Sequence, residues 1–162
     1  MKRKNCQSTV AGIWFYGLAG SGKTYASQFL SNRIPHSFVV DGDVVRRHVS
    51  VDLGYSEDDR KIQISRIFGI GNIVLENGMF PIMSSVTMTN GLLCACIDQM
   101  ISVVRIERPF EQLKKVRNLY DGQKNVVGVN LVLPDLNTVS LVNDGTPKFD
   151  EALIDYAKSI TA

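Results

Sequence analysis

Short apolar runs alternate along this chain with longer segments whose apolar positions recur every three or four residues, the mark of strands alternating with helices. Val10 to Tyr16 reads as a strand, continuous in apolar residues as a strand covered on both faces would be. Tyr25, Ala26, Phe29 and Leu30 then give a helix from Lys23 to about Asn32, closed off by Pro35. Ser37 to Val40 is a second strand, and a short helix over Val44 to Val49 has Asp43 as its expected N-cap. Ser56, three residues before Asp59, resembles a capping box for a long helix reaching Asn77, with Ile62, Ile67, Ile70, Ile73 and Val74 facing the core.

Met79 to Met83 is the third strand, and residues 84–90 form a polar loop. A helix over Leu92 to Gln99 leads to the fourth strand, Ile101 to Ile106, and Pro109 opens a helix ending near Val116. Residues 117–135 carry few structural markers, and an irregular connection of that length is usually a lid or binding loop. Val139 to Val142 and a closing helix from Lys148 to Ile160 complete the pattern. Alternation of this kind predicts an α/β fold with a five-stranded, mainly parallel sheet and helices on both faces. The 162 residues fit one domain, with 1–9 as a tail.

Gly17-Leu18-Ala19-Gly20-Ser21-Gly22-Lys23-Thr24 sits between the first strand and the first helix and satisfies G-x-x-x-x-G-K-[ST]. Glycines let such a loop turn its N–H groups toward one concave site, which suits phosphate oxygens. ATP is therefore the expected ligand of Gly17, Ala19, Gly20, Ser21 and Gly22. Lys23 would reach the β- and γ-phosphates, and Thr24 would ligate Mg²⁺. This context makes the fold a P-loop NTPase or kinase fold.

The second strand delivers Asp41 and Asp43 to the sheet edge where ligands sit in open α/β folds. Phosphoryl transfer needs a group to receive the acceptor's proton; Asp41 is the candidate, with Asp43 organising water around Mg²⁺, and the sequence leaves open which of the two acids is the base. Arg46, Arg60 and Arg66 follow, residues able to hold a second anionic ligand. Arg117, with Lys114 and Lys115, is placed to close over ATP; alternatively the lysines only complement the negative end of a helix.

A net charge of +2 without a basic stripe argues against nucleic acid. No apolar run approaches the length of a membrane span, so a cytoplasmic protein acting on small molecules is expected, with room for a homodimer. Cys6, Cys94 and Cys96 have neither disulfide nor zinc spacing, and the last two read as small buried hydrophobes.

The glycine-rich loop, Asp41-Gly42-Asp43-x-x-Arg46 and Asp52-Leu53-Gly54-Tyr55-Ser56-x-x-Asp59-Arg60 together resemble the adenylylsulfate kinase family. The resemblance is good over the first half of the chain and faint afterwards. It implies an ATP-dependent kinase that phosphorylates the ribose 3′-hydroxyl of a nucleotide acceptor. By position it puts the base at Asp41, acceptor-binding arginines at Arg46 and Arg60, and an aromatic acceptor contact at Tyr55.

Several acceptor-side positions depart from the family pattern. Gln63 replaces an asparagine and Ser65 an arginine; Ser85-Val86-Thr87-Met88-Thr89 stands where Ser-Phe-Ile-Ser-Pro is usual; and Val129 takes the place of a phenylalanine that clamps adenine. Gln63, Ser85 and Val129 are nonetheless the expected acceptor contacts. Relatives of the family act on other nucleotides, cytidine diphosphoramidate among them, so adenylylsulfate and a cytidine-linked acceptor stand level. A kinase for a free nucleoside or sugar, and a nucleotide-binding module without turnover, are the alternatives.

Overall fold

The structure, a computed structural model, describes residues 10–116, 120 and 124–161. Its elements are β1 (Gly12–Tyr16), α1 (Lys23–Ser31), β2 (Ser37–Asp41), α2 (Gly42–His48), α3 (Glu57–Glu76), β3 (Phe80–Ser85), α4 (Asn90–Asp98), β4 (Ile101–Glu107), α5 (Phe110–Val116), β5 (Val139–Val142) and α6 (Lys148–Thr161). The strands form one sheet in the order β2-β3-β1-β4-β5. Every pairing in it is parallel. The chain leaves β1 toward β3 and β2 and returns to the other side of β1 with β4, so strand order reverses at β1, where ligands gather in such sheets.

Side-chain alternation along β1 explains the two-sided core. Ile13 and Phe15 pack with Ala26 and Leu30 of α1 and Phe149 and Leu153 of α6. Trp14 and Tyr16 face the other way, onto Ile64 and Ile67 of α3 and Leu92 and Cys96 of α4. Burial of these side chains in a strand with no polar residue is why β1 reads as an unbroken apolar run.

Local signals account for most boundaries. The Ser56 hydroxyl accepts from the Asp59 amide and the Asp59 carboxylate accepts from the Ser56 amide, completing the expected capping box of α3. Thr89 caps α4 by accepting from the Leu92 amide.

Four expectations need correction. The buried face of α3 consists of Gln63 and, at steps of three or four from Ile64 onward, Ile64, Ile67, Gly71 and Val74, which leaves Ile62 and Ile73 on the exposed side. β3 continues through Ser84 and Ser85, since both pair with β1. Their small hydroxyls fit a buried strand end, where a polar loop was expected. Cys94 is exposed; only Cys96 is buried, and burial pushes its thiol up to about 12. The N-cap of α2 is Asp41, and Asp43 lies within the first turn. Asp41 wins that position because β2 runs directly into α2 with no intervening loop.

Candidate active site

The loop between β1 and α1 is held by its carbonyls, one from within and three from outside. Leu18 O accepts from Lys23 Nζ at 2.8 Å and from the Ser21 amide at 3.1 Å. Ala19 O accepts from the Tyr120 hydroxyl at 2.5 Å, Gly20 O from Arg108 Nη1 at 3.2 Å, and Ser21 O from Asn143 Nδ2 at 2.8 Å. In a trans peptide the N–H points opposite to the C=O. Binding the Ala19 and Ser21 carbonyls from without therefore turns the amides of Gly20 and Gly22 the other way, while the Ser21 amide is taken by Leu18 O inside the loop.

Gly17, Gly20 and Gly22 have φ of 150°, 83° and 106°, values that L side chains rarely adopt. Gly22 is also the N-cap of α1 and lies against the Asn143 amide, where a Cβ would collide. No side chain caps α1, so its first-turn amides remain available to an anion.

Thr24, in the first turn of α1, donates to Asp41 Oδ2 at 2.7 Å. The same oxygen accepts from Ser84 Oγ at 3.2 Å, and Oδ1 accepts from the amides of Asp43 and Val44 at 2.9 and 3.3 Å. Asp41 is thus a buried carboxylate with four donors that ties together the phosphate loop, β2, β3 and α2. Asp43 is exposed. Thr24 and Asp41 put hard oxygen donors together at one end of the loop, with Asp43 two residues further on, which fits Mg²⁺ held partly by substrate phosphates. Among the described residues no group of three or more His, Cys, Asp or Glu side chains forms a metal cage of its own.

A second constellation lies on α2, α3 and the turn between them. The guanidinium of Arg46 lies 4.6 Å from the ring centroid of Tyr55 and that of Arg60 lies 5.6 Å from it. Arg46 Nη1 donates to Gly54 O at 2.5 Å and Arg60 Nη2 to Asn125 O at 2.7 Å. Burial, and then the nearby charge of Arg46, push Arg60 below the usual arginine range. Two cations around an exposed aromatic ring form a cradle for an anion attached to a flat group. Gln63 is buried one turn further along α3 and donates from Nε2 to Gly42 O at 2.9 Å, next to both acids.

Other expected site residues sit apart. Arg66 forms a two-pronged ion pair with Asp52, at 2.5 and 2.8 Å, and does not join the Arg46–Arg60 pair. Ser85 is buried, accepting from Trp14 Nε1 at 2.8 Å and donating to Thr87 O at 2.6 Å, so its hydroxyl is engaged within the fold. Lys114 pairs with Glu111 at 3.7 Å, and both Lys114 and Lys115 are exposed at the end of α5. Arg117 lies outside the described residues. Val129 is half-exposed in a turn over 127–131. Beside it Gly128, at φ 91°, passes so near Leu18 that an added Cβ would lie 2.9 Å from Leu18 Cδ2. Leu113, Tyr120 and Val126 pack with Leu18 and Ala19, so this segment rests on the phosphate loop.

Arg108, Tyr120 and Asn143 escaped the sequence reading. Two of them carry a usable signal, since Arg108 directly follows β4 and Asn143 directly follows β5, at the strand ends where α/β sheets place ligands.

The sequence profile of the adenylylsulphate kinase family matches residues 9–91, just over half of the chain. The chain belongs to this family. The matched region contains the phosphate loop, both acids and the Arg46–Tyr55–Arg60 cluster. Among curated family members, the adenylyl-sulfate kinase of Chloroflexus aurantiacus is 32% identical over 117 residues, covering 67% of this chain and 62% of that protein. The probable adenylyl-sulfate kinase of Halalkalibacterium halodurans is 38% identical over 82 residues, covering 48% and 40%. The matched region thus spans less than two thirds of these relatives.

Fold similarity reaches further than sequence similarity. The Mycobacterium tuberculosis APS kinase in complex with AMPPNP and APS superposes with a TM-score of 0.80 at 19% identity, covering 95% of this chain and 99% of that one. A gluconokinase from Sinorhizobium meliloti gives 0.64 at 15% identity, covering 94% and 92%. The fold similarity therefore runs well past residue 91, where the family profile ends.

Proposed function

We propose that this protein is an ATP-dependent phosphotransferase that moves the γ-phosphate to the ribose 3′-hydroxyl of a nucleotide acceptor. The observation that carries the reading is the 2.7 Å hydrogen bond from Thr24 to Asp41, which joins the phosphate-binding element to the acid-bearing strand end. Inward amides and the α1 N-terminus would grip the triphosphate, and Lys23 would exchange its bond to Leu18 O for a phosphate oxygen. Thr24, with Asp41 behind it, would hold Mg²⁺, which supplies charge neutralisation on the phosphates when bound.

Between the two acids left open as the base, the hydrogen bonds favour Asp43 over the first candidate, Asp41. Asp41 already accepts from four donors, so taking a proton would require one of them to leave. Asp43 has no side-chain hydrogen bond among the described residues and is exposed in the first turn of α2. In this reading Asp43 receives the acceptor's proton and Asp41 holds Thr24 in register. The cradle of Arg46, Tyr55 and Arg60 takes the anionic acceptor.

Adenylylsulfate is one acceptor that fits. A cytidine-linked nucleotide such as cytidine diphosphoramidate is the second, favoured by Val129, whose side chain offers no ring to clamp a purine. Among the described residues no helix is long and apolar enough to cross a membrane. The decisive test is incubation with MgATP and a nucleotide panel containing both acceptors, followed by phosphorus NMR. A new 3′-phosphomonoester on one nucleotide is expected; transfer only to free sugars or nucleosides, or none, overturns the reading.

A further inference from the structure

We propose that Gln63 selects an acceptor carrying a hydrogen-bond donor, N–H or O–H, close to the charge taken by Arg60. This rests on the nucleotide-acceptor reading above and specifies what that nucleotide must present.

The argument begins with the orientation of one amide. Gln63 is 5% exposed and its Nε2 donates to Gly42 O at 2.9 Å. The oxygen and nitrogen of a glutamine are usually told apart only by their partners. Here the partner decides, because a backbone carbonyl can only accept, and the flipped amide would set two oxygens face to face. The atom left over is therefore the acceptor Oε1, buried and without a partner among the described residues.

One turn earlier on α3, Arg60 Nε is also buried and without a partner, while Nη2 of the same guanidinium is bound to Asn125 O at 2.7 Å. Residues three apart share a helix face. An unpaired donor and an unpaired acceptor thus stand one turn apart on α3, the acceptor on a side chain that reaches Gly42 between the two acids. Buried polar atoms are nearly always paired in native proteins, and a ligand with the complementary pair would satisfy both of these at once.

A sulfate group offers acceptors only: it would satisfy Arg60 and turn an oxygen toward Oε1. A phosphoryl group that bears both an anionic oxygen and an NH₂ or OH satisfies both atoms. A ribose hydroxyl next to the charged group is the other source of the same donor.

Calorimetry on the full chain, with Mg²⁺ and a non-hydrolysable ATP analogue bound, tests this with matched probes. In the cytidine and the adenosine series, the nucleoside 5′-diphosphoramidate is compared with the diphosphofluoridate, which has the same charge and no donor, and with the phosphosulfate. A 2′-deoxy amidate separates the terminal group from the ribose as the donor's source.

The amidate is expected to bind about 10-fold tighter than the fluoridate, or the ribo form about 10-fold tighter than the deoxy form. Gln63→Met should erase that ratio by weakening only the donor-bearing ligand. Equal affinities across both comparisons in the wild type overturn the proposal, as a buried water bridging the two atoms would produce. The wild-type ratios decide the matter even if the variant does not fold. Discrimination without phosphate transfer keeps this inference and removes the kinase reading; transfer without discrimination does the reverse. Failure of every nucleotide to bind overturns both.

Discussion

The side-chain amide of Asn143 donates to the backbone carbonyl of Ser21 at 2.8 Å, joining the end of β5 to the phosphate loop across 122 positions of sequence. Its Oδ1 accepts from the Gly145 amide, which fixes the direction of the donor. The catalytic loop is therefore shaped by the part of the chain where the family profile no longer applies.

Asn143→Ala should consequently damage both stability and ATP binding. The buried Ser21 carbonyl would lose its partner, a loss of about 1–3 kcal/mol. For a domain of this size each kcal/mol lowers Tm by about 2–4 °C. Thermal melting with and without an ATP analogue is the check, and an unchanged analogue affinity would show that the loop keeps its shape without Asn143.

The two acids separate by substitution. Asp41→Ala removes the α2 cap, costing about 0.5–2 kcal/mol, and frees Thr24, so it should lower both Tm and turnover. Asp43→Asn should leave Tm and ATP affinity unchanged while transfer falls about 10²–10⁴-fold, the usual worth of general base catalysis. Single-turnover rates at saturating ATP provide the measurement. Near-normal transfer by Asp43→Asn would return proton acceptance to Asp41.

How much of this site was legible beforehand depended on whether its residues act through local sequence or through distant contact. The phosphate loop and the Ser56–Asp59 capping box are local, and were readable. Parallel pairing followed from the alternation of strands and helices, because crossovers of that kind leave little alternative. Which acid caps α2 was not readable, since that depended on β2 entering the helix without a loop. The same limit applies to Ser85, whose partner Trp14 lies 71 positions away, and to Arg66, which is held by Asp52 rather than directed at a ligand. A side chain's residue type says what it can bond; only the fold says what it meets first.

The Arg46–Tyr55–Arg60 cluster distinguishes an anionic nucleotide acceptor from a neutral sugar. Arg46→Ala and Arg60→Ala should each raise the acceptor KM about 10-fold or more with the ATP KM unchanged, as loss of a charge-assisted contact implies. Arg60→Ala should also loosen the turn at Asn125, which hydrogen exchange at 124–131 would register. An acceptor KM indifferent to both changes would favour a free nucleoside or sugar as substrate.

Trp14 is the chain's single tryptophan, buried with its Nε1 on Ser85 Oγ and its ring stacked on Phe68 at a centroid distance of 6.4 Å. Ser85→Ala should leave the indole N–H unpaired, costing about 1–3 kcal/mol and changing the fluorescence spectrum of the folded protein. Acceptor KM should not move. A raised KM at unchanged stability would instead make Ser85 a direct substrate contact.

Acid sensitivity should centre on Asp52. Its two-pronged bond with Arg66 holds the carboxyl down at about 2, from an ordinary 3.8. A carboxyl depressed in the folded state contributes stability that is fully present above its unfolded value and is lost as pH falls through its folded value. The pair should therefore help at pH 5 and above, and its contribution should fade between about pH 4 and pH 2. Both side chains are partly exposed, so salt should screen the effect. Asp52→Asn should melt below the wild type at pH 6, with the difference closing on acidification and narrowing at high salt. A Tm gap that stays constant from pH 6 to pH 2 would mean that the pair fixes the α2–α3 turn through geometry alone, with no contribution from its charge.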